Sequence, residues 1–429
     1  MTELSLAHGL SFNDLYDRDG LVRLDRAFVE ALEHNDLALH NRLMAGRADS
    51  ATIDEKEHSE LLVDLGPALE SFLGELFGIE EDLGARRAER DRLNPIYTCK
   101  LQFVRRRAAK AFKPDELAAA DGAALRRAVE ADIGTTLDEL SFAKAVMGWL
   151  DDEEAHAEQL GNAARFAAWA TLSEDGQERY RKSPLFHLPA KVDPANLVAV
   201  DTIEIEGVTM LRTHEHHLRR REGFGLTDQG MELEAALDQA NYCIFCHNQC
   251  KDSCSKGLKE KDGSAYKASP HGVTLAGCPL DEKISEMNLL KAQGHGLAAL
   301  AVAQVDNPLC AATGHRICND CMKACIYQRQ EPVDIPQIET RTLKDVLALP
   351  WGFEIYSLLS RWNPLDLNRP LPKPATGRRI LVVGLGPAGF NLSHHLMNDG
   401  HTVVAVDGLK IEPLDPEISG VDLFGDRHA

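Results

Sequence analysis

Nine of the chain's ten cysteines fall between Cys243 and Cys325. They form two bunches, Cys243, Cys246, Cys250 and Cys254, then Cys310, Cys318, Cys321 and Cys325, with Cys278-Pro279 between them. Such crowding restricts what the stretch can fold into. Thiols two or three residues apart, as in Cys243-x2-Cys246, Cys250-x3-Cys254, Cys318-x2-Cys321 and Cys321-x3-Cys325, can wrap one side of a metal centre. Iron is soft enough to prefer thiolate, and a 4Fe-4S cluster takes four such ligands, one usually from distant sequence. Zinc competes, because paired Cys-x2-Cys motifs bind it tetrahedrally. Nine cysteines exceed one zinc site, however, and the neighbouring histidines are His247 and His315. A disulfide set is the weakest of the three readings, since clustered thiols in a reducing compartment more often hold metal or do redox chemistry.

The rest of the composition narrows the class. A chain of 429 residues calls for two or three domains. Its 44% apolar and 27% charged residues are those of a globular protein. No run of about 18 apolar residues reads as a membrane span. The first twenty residues lack the basic and apolar regions of a signal peptide, so a cytoplasmic location is expected. A net charge of -20 argues against nucleic acid as a main partner.

Residues 1 to about 183 place apolar side chains at three- and four-residue spacing among Ala, Leu, Glu and Arg, which predicts helices. Asp54 and Ser59 sit near expected helix starts. The basic run Arg105-Arg106-Arg107 with Lys110 reads as a solvated helix face, and Cys99 as a small buried hydrophobe. Prolines 184, 189 and 194 break the pattern. Then VAVDTIEIEGVTMLR alternates, which predicts a strand pair turning at Gly207. His214, His216 and His217 read as part of a charged helix face, not as a metal site. The segment LTDQGMELEAALDQANYC reads as a helix running into the first cysteine, with Thr227 or Asp228 as its cap.

After Pro364, Pro370, Pro372 and Pro374 comes an apolar strand, RRILVVG, and then Gly384-Leu385-Gly386-Pro387-Ala388-Gly389. A helix and a second strand, TVVAV, follow and end at Asp407, 23 positions past Gly384. Strand, turn, helix, strand and acid fall in the register of a dinucleotide-binding βαβ unit. Gly384 permits the tight turn, Gly386 lets the backbone approach a pyrophosphate, and Gly389 lets the helix pack on the strand. The helix N-terminus faces the phosphates, and Asp407 is placed to accept from a ribose hydroxyl.

The stretch from about 223 to 407 resembles the iron–sulfur and flavin region shared by the glutamate synthase small subunit and dihydropyrimidine dehydrogenase. The matching text is Ala240-Asn241-Tyr242-Cys243-Ile244-Phe245-Cys246, Cys278-Pro279-Leu280 leading to Ile284, Asp306-Asn307-Pro308, Thr313 to Cys318, Cys325, and Pro332-Val333-Asp334-Ile335 up to Glu339. The resemblance implies two 4Fe-4S clusters. One would rest on Cys243, Cys246, a third cysteine and Cys325, and the other on Cys278, Cys318, Cys321 and Glu339, with Gln337 as the alternative to Glu339. It implies FAD at the glycine turn and NAD(P)H as electron donor, supplied by a region outside this chain. The chain departs from the pattern by an insertion, Ser255 to Gly277. Cys254 is taken as the third ligand and Cys250 as spare, and Cys310 as a packed thiol. The gap from Cys318 to Cys321 is also short.

The expected fold is mainly α: a helical domain over 1–190, a helical iron–sulfur domain over 191–360, a linker over 361–378, and an incomplete FAD-binding Rossmann-like βαβ unit over 379–429. Only 22 residues follow Asp407, so a further domain or subunit is expected to complete the flavin site. The function expected is an iron–sulfur flavoprotein oxidoreductase passing electrons between NAD(P)H, FAD and the clusters to an acceptor. The alternative is a non-catalytic, metal-stabilised interaction scaffold docking a partner subunit. No general acid, base or nucleophile stands out, so no catalytic residue is assigned.

Overall fold

A computed structural model describes residues 4–198, 200–213, 218, 223, 228–249 and 251–408. The protein is mainly helical, with two short two-stranded sheets among the described residues. The longest helix, α3 (Glu55–Phe77), shows why. Asp54 caps it, its Oδ1 accepting from the N–H groups of Lys56 and Glu57 at 2.9 and 2.8 Å, while Glu57 reaches back to the Asp54 N–H. Such reciprocal capping satisfies the donors a helix start leaves over. Leu61, Leu62, Leu65, Leu69, Leu73 and Leu76 form its buried stripe, and left-handed Gly78 ends it. Ser59 is not at the start but one turn inside, buried, with its hydroxyl donating to Glu286.

Around α3 pack α1 (Arg18–Asn35), α2 (Leu37–Ala48) and α4 (Glu80–Cys99). Then come a nine-residue π-helix (Lys100–Ala108) and helices α5 (Gly122–Ile133), α6 (Glu139–Leu150) and α7 (Ala157–Leu172). A hairpin follows, β1 (Val200–Ile205) and β2 (Val208–Thr213), antiparallel and turning at Glu206-Gly207, as the alternation predicted. The cysteine region contributes α8 (Leu233–Tyr242), α9 (Ile284–Gln293), α10 (Gly296–Asp306), α11 (Cys310–Ile317), α12 (Asp320–Ala324), α13 (Ile335–Leu347) and α14 (Gly352–Leu359). The chain ends its described part with β3 (Arg379–Val383), α15 (Pro387–Asn398) and β4 (Thr402–Val406), the two strands parallel.

The apolar side chains do not divide at residue 190. One core joins residues 10–83 to residues 240–367, and a second gathers residues 93–186 with Leu237. Glu70 of α3 shows the joining chemistry: its Oε2 accepts from Leu297 N and Ala298 N at 3.1 and 3.3 Å, capping α10 from 227 residues away. A carboxylate there meets both orphan donors and the positive end of the helix dipole. The beginning of the stretch expected as a linker is packed as well. Trp362, Leu365 and Leu367 are buried, and the Trp362 indole N–H donates to Asp25 at 2.9 Å.

Two further expectations change. The helix entering the cysteines begins at Leu233 with Glu232 as its N-cap residue. Asp228 instead accepts from Gly230 N in a turn, because the intervening Gly230 adopts a positive φ that stops a helix from running through. Thr227, His214, His216, His217 and Cys250 lie outside the described residues. Cys99 is fully buried, and burial pushes its thiol up to about 12.

Candidate metal centre and nucleotide turn

Helix α8 delivers the first cysteines. It leaves helical geometry at Cys243, where the backbone turns extended, and a 3-10 turn over Cys246–Gln249 follows. The turn is fixed by Phe245, whose φ is 53° and whose N–H donates to Cys243 Sγ at 3.4 Å. Asn288 of α9 is wholly buried, and neither atom of its side-chain amide has a hydrogen-bond partner. Cys254 lies in a short helical turn, Ser253–Lys256. Cys325 closes α12 and accepts from the backbone of Tyr327 and Val333.

The insertion between Cys254 and Cys278 is a side excursion. Its arms pair Lys259 with Tyr266 and Ala268 with Thr274, and Leu258 N donates to Leu275 O at 2.9 Å. At its base Gly257 and Gly277 both have positive φ, and a Cβ on Gly277 would stand 2.5 Å from Gly257 N. Only glycine permits that conformation and that approach together. Cys278 N then donates to Cys254 O at 2.8 Å, so two cysteines 24 residues apart in sequence are adjacent in space.

The thiols sort into two neighbourhoods by the charges that act on them. Cys243, Cys246 and Cys254 each feel Cys325. Cys321 feels Cys278, Cys318 and Glu282. Burial pushes Cys243 up to about 11, Cys246 to about 12 and Cys278 to about 11. Cys254 donates its thiol proton to Cys325, which raises Cys254 and holds Cys325 below the usual thiol range. Such thiols keep their protons until a cation displaces them. Cys278 accepts from the N–H groups of Leu280 and Glu282. Backbone donors aimed at sulfur are what a thiolate-held cluster uses to set its potential, so the donor set fits such a group. Among the described residues no three His, Cys, Asp or Glu side chains gather as a single-ion site requires.

Glu339 and Gln337 face different ways. Glu339 on α13 is buried, its Oε1 without a hydrogen-bond partner, and burial followed by the nearby Glu282 raises it far above the carboxylate range. It acts on Cys310, which is buried and whose thiol burial drives upward. Gln337 donates to Asp228 on the outer side of the helix. Sequence reasoning missed Glu282, which is buried, raised to about 7 by desolvation, and set among Cys278, Cys321 and Glu339. Its one signal is a carboxylate four residues past Cys278, hidden between Asp281 and Lys283. It also missed the stack of Tyr242 on Tyr327, 4.5 Å between centroids, whose members flank Cys243 and Cys325.

At the C-terminal unit, Gly384 has a φ of 98°, and a Cβ on Gly389 would stand 1.8 Å from Gly384 O. Those two glycines bring α15 onto β3. Gly386 has open space where a Cβ would sit, the room a pyrophosphate needs. Pro387 and Ala388 open the helix. Asp407 accepts from the Leu385 N–H, so it holds the glycine turn from the end of β4. The residues present fit the phosphate-binding part of a dinucleotide site. The strands remain uncovered: Leu381, Val383 and Val404 are 63, 78 and 54% exposed.

Comparisons place these features among known proteins. Residues 6–78 match the RP005 N-terminal alpha-helical domain. The uncharacterized protein RP005 of Rickettsia prowazekii is 33% identical over 303 residues, 68% of this chain and 99% of that protein. The uncharacterized protein RP006 of the same organism is 65% identical over 104 residues, 24% of this chain. Part of the chain is similar to an oxidoreductase subunit, the glutamate synthase [NADPH] small chain, 32% identical over 132 residues in Mycobacterium tuberculosis and over 142 in Bacillus subtilis. The chain spans 15% of RP006 and about a quarter, 24 and 25%, of those two small chains. No helix among the described residues is long and apolar enough to cross a membrane.

Proposed function

The chain belongs to the family of the Rickettsia prowazekii protein RP005, and we propose that it is the iron–sulfur part of an electron-transferring oxidoreductase whose flavin domain is completed by other chain. The observation that carries this reading is the sorting of the thiols into two neighbourhoods with backbone N–H groups directed at sulfur. The first set is Cys243, Cys246, Cys254 and Cys325. The second is Cys278, Cys318 and Cys321, with Glu339 as its oxygen donor. A cubane takes one ligand per iron, so its ligands face one another across the inorganic core instead of meeting at one point. When bound, such clusters would exchange single electrons, and FAD at the glycine turn would exchange a hydride from NAD(P)H for two of them.

The chain's own residues would bind and tune. Cys246, Cys254, Cys321 and Cys325 are buried, Cys243 and Cys278 half-buried and Cys318 exposed, and N–H donors near the sulfurs would stabilise negative charge on them. Gly384, Gly386 and Gly389, with Pro387 and Ala388 at the start of α15, would hold the pyrophosphate, and Asp407 fixes the loop that does so. The uncovered faces of β3 and β4 support a partner. Parallel sheets are stable when both faces are covered, so a further domain or subunit is the expected source of the missing layer.

Anaerobic iron, acid-labile sulfide and zinc analysis of fresh protein tests this. About eight irons and eight sulfides per chain, as two cubanes require, support it. Zinc without sulfide would replace it with the alternative, a metal-stabilised scaffold, to which the exposed sheet would lend its docking surface.

A further inference from the structure

Residues 100–113, which begin with the π-helix after α4, carry more charge of one sign than any other stretch of that length in a chain whose net charge is -20. From Lys100 to Lys113 there are six cations, Lys100, Arg105, Arg106, Arg107, Lys110 and Lys113, and no carboxylate. Two of them form ion pairs. Lys100 Nζ donates to both oxygens of Asp238 at 2.7 and 2.8 Å, and Arg107 pairs with Glu153 at 2.9 Å. Arg106, Lys110 and Lys113 form no ion pair among the described residues, and Arg105, Arg106 and Lys110 are exposed. A π-helix of nine residues is unusual, since most are single-turn bulges, and those concentrate at functional sites.

Its position gives the charge a purpose. Asp238 lies on α8, so the buried Lys100–Asp238 pair locks the π-helix to the helix that ends in Tyr242-Cys243. The Arg105 charge acts on the Tyr327 hydroxyl against the upward push of burial. Tyr327 stacks on Tyr242 with the rings 11° from parallel. Tyr327 N donates to Cys325 Sγ. The basic surface, the two stacked rings and the first set of thiols are therefore neighbours.

We propose that this basic face is the docking surface for a small, acidic electron-carrier protein, placed to approach the first thiol set over the Tyr242–Tyr327 stack. The proposal rests on the reading of the cysteine region as redox-active, and deepens it. Charge complementarity names the partner: on a chain of net charge -20 this patch reverses the field locally, so a carboxylate-rich face is steered to it.

The test is titration calorimetry of the full chain with an acidic plant-type ferredoxin at low and at 0.3 M salt. Carbodiimide cross-linking then joins partner carboxylates to nearby lysines. Binding that weakens with salt, falls at least about tenfold in Arg106→Glu/Lys110→Glu, survives in Arg106→Lys/Lys110→Arg, and cross-links to Lys110 or Lys113 is expected. Equal binding by the charge-reversed protein would overturn the proposal. So would tighter binding to phosphatidylserine vesicles or to duplex DNA than to the ferredoxin. Iron and sulfide content, measured on the same samples, reports separately on the redox reading, because the surface substitutions leave every thiol in place.

Discussion

The cysteine body and the C-terminal βαβ unit are built to different degrees of closure. In the body, α10 is buried along its length, Leu297 to Ala303, and its core continues into α3 and α13. Past Leu367, Val382 is the one buried apolar side chain in the core among the described residues. The strands are equally apolar in sequence, yet on one face Leu381, Val383, Val404 and Val406 are exposed. The difference teaches that the body closes its own core, whereas the nucleotide unit holds a turn without its walls. Sequence hydrophobicity reports what a segment needs, and burial reports whether this chain supplies it.

The largest expected effect lies in the body. Replacing Cys325 with Ser should remove one cluster and leave about four irons and four sulfides of about eight. Gly386→Ala should leave that count unchanged. A loss of all iron in Cys325→Ser, or of none, would break the division into two sets. Next comes Gly389→Val. The Cβ would collide with Gly384 O, so α15 must leave β3 at a cost of about 1–3 kcal/mol. The signature is new proteolytic cleavage within residues 379–408, no flavin retention by the completed protein, and an unchanged melt of the body.

A third pair of substitutions sharpens the contrast directly. Leu300→Ala, in the closed core, should cost about 2–5 kcal/mol in denaturant unfolding. Val383→Thr, on the open sheet, should stay within about 0.5 kcal/mol. Similar costs at both sites would mean that the sheet is covered in solution by chain outside the described residues. The smallest effect concerns how the unit rests on the body. His394 of α15 is held at about 4, first by burial and then by the positive charges of His395 and Arg361. Unfolded, it takes up a proton near 6.5, so the free state binds more protons between those values and stability rises with pH there. Docking should be intact above about pH 6.5 and weaken by on the order of 1–2 kcal/mol as pH falls toward 4. Hydrogen exchange of α15 at pH 5 and 7.5 reads this, and His394→Gln should flatten it.

Local signals were legible in the sequence and distant ones were not. Asp54 announces α3, the alternation around Gly207 announces the hairpin, and the Gly384–Gly389 pattern announces the βαβ unit, each because neighbouring residues decide it. The placing of Cys254 beside Cys278 depends on a hairpin closed by Gly257 and Gly277, which spacing conceals. Asp228 looked like a cap because its residue type suits one, but Gly230 diverts the backbone. Glu282 and Glu339 gain their shifted protonation only from mutual burial, and the π-helix has no side-chain pattern of its own. The union of residues 10–83 with 240–367 is a matter of tertiary packing, invisible to any window.

That union has a consequence for synthesis. Helices α1 to α3 leave the ribosome well before α9 and α10, which complete their core and follow more than 200 residues later. At ordinary translation speed the gap lasts roughly 10–40 s. During it the leucine stripe of α3 is exposed, while the contiguous core of residues 93–186 has already closed. On this order the core of residues 93–186 closes before the one that joins α3 to α9 and α10, and the α3 stripe waits exposed in between.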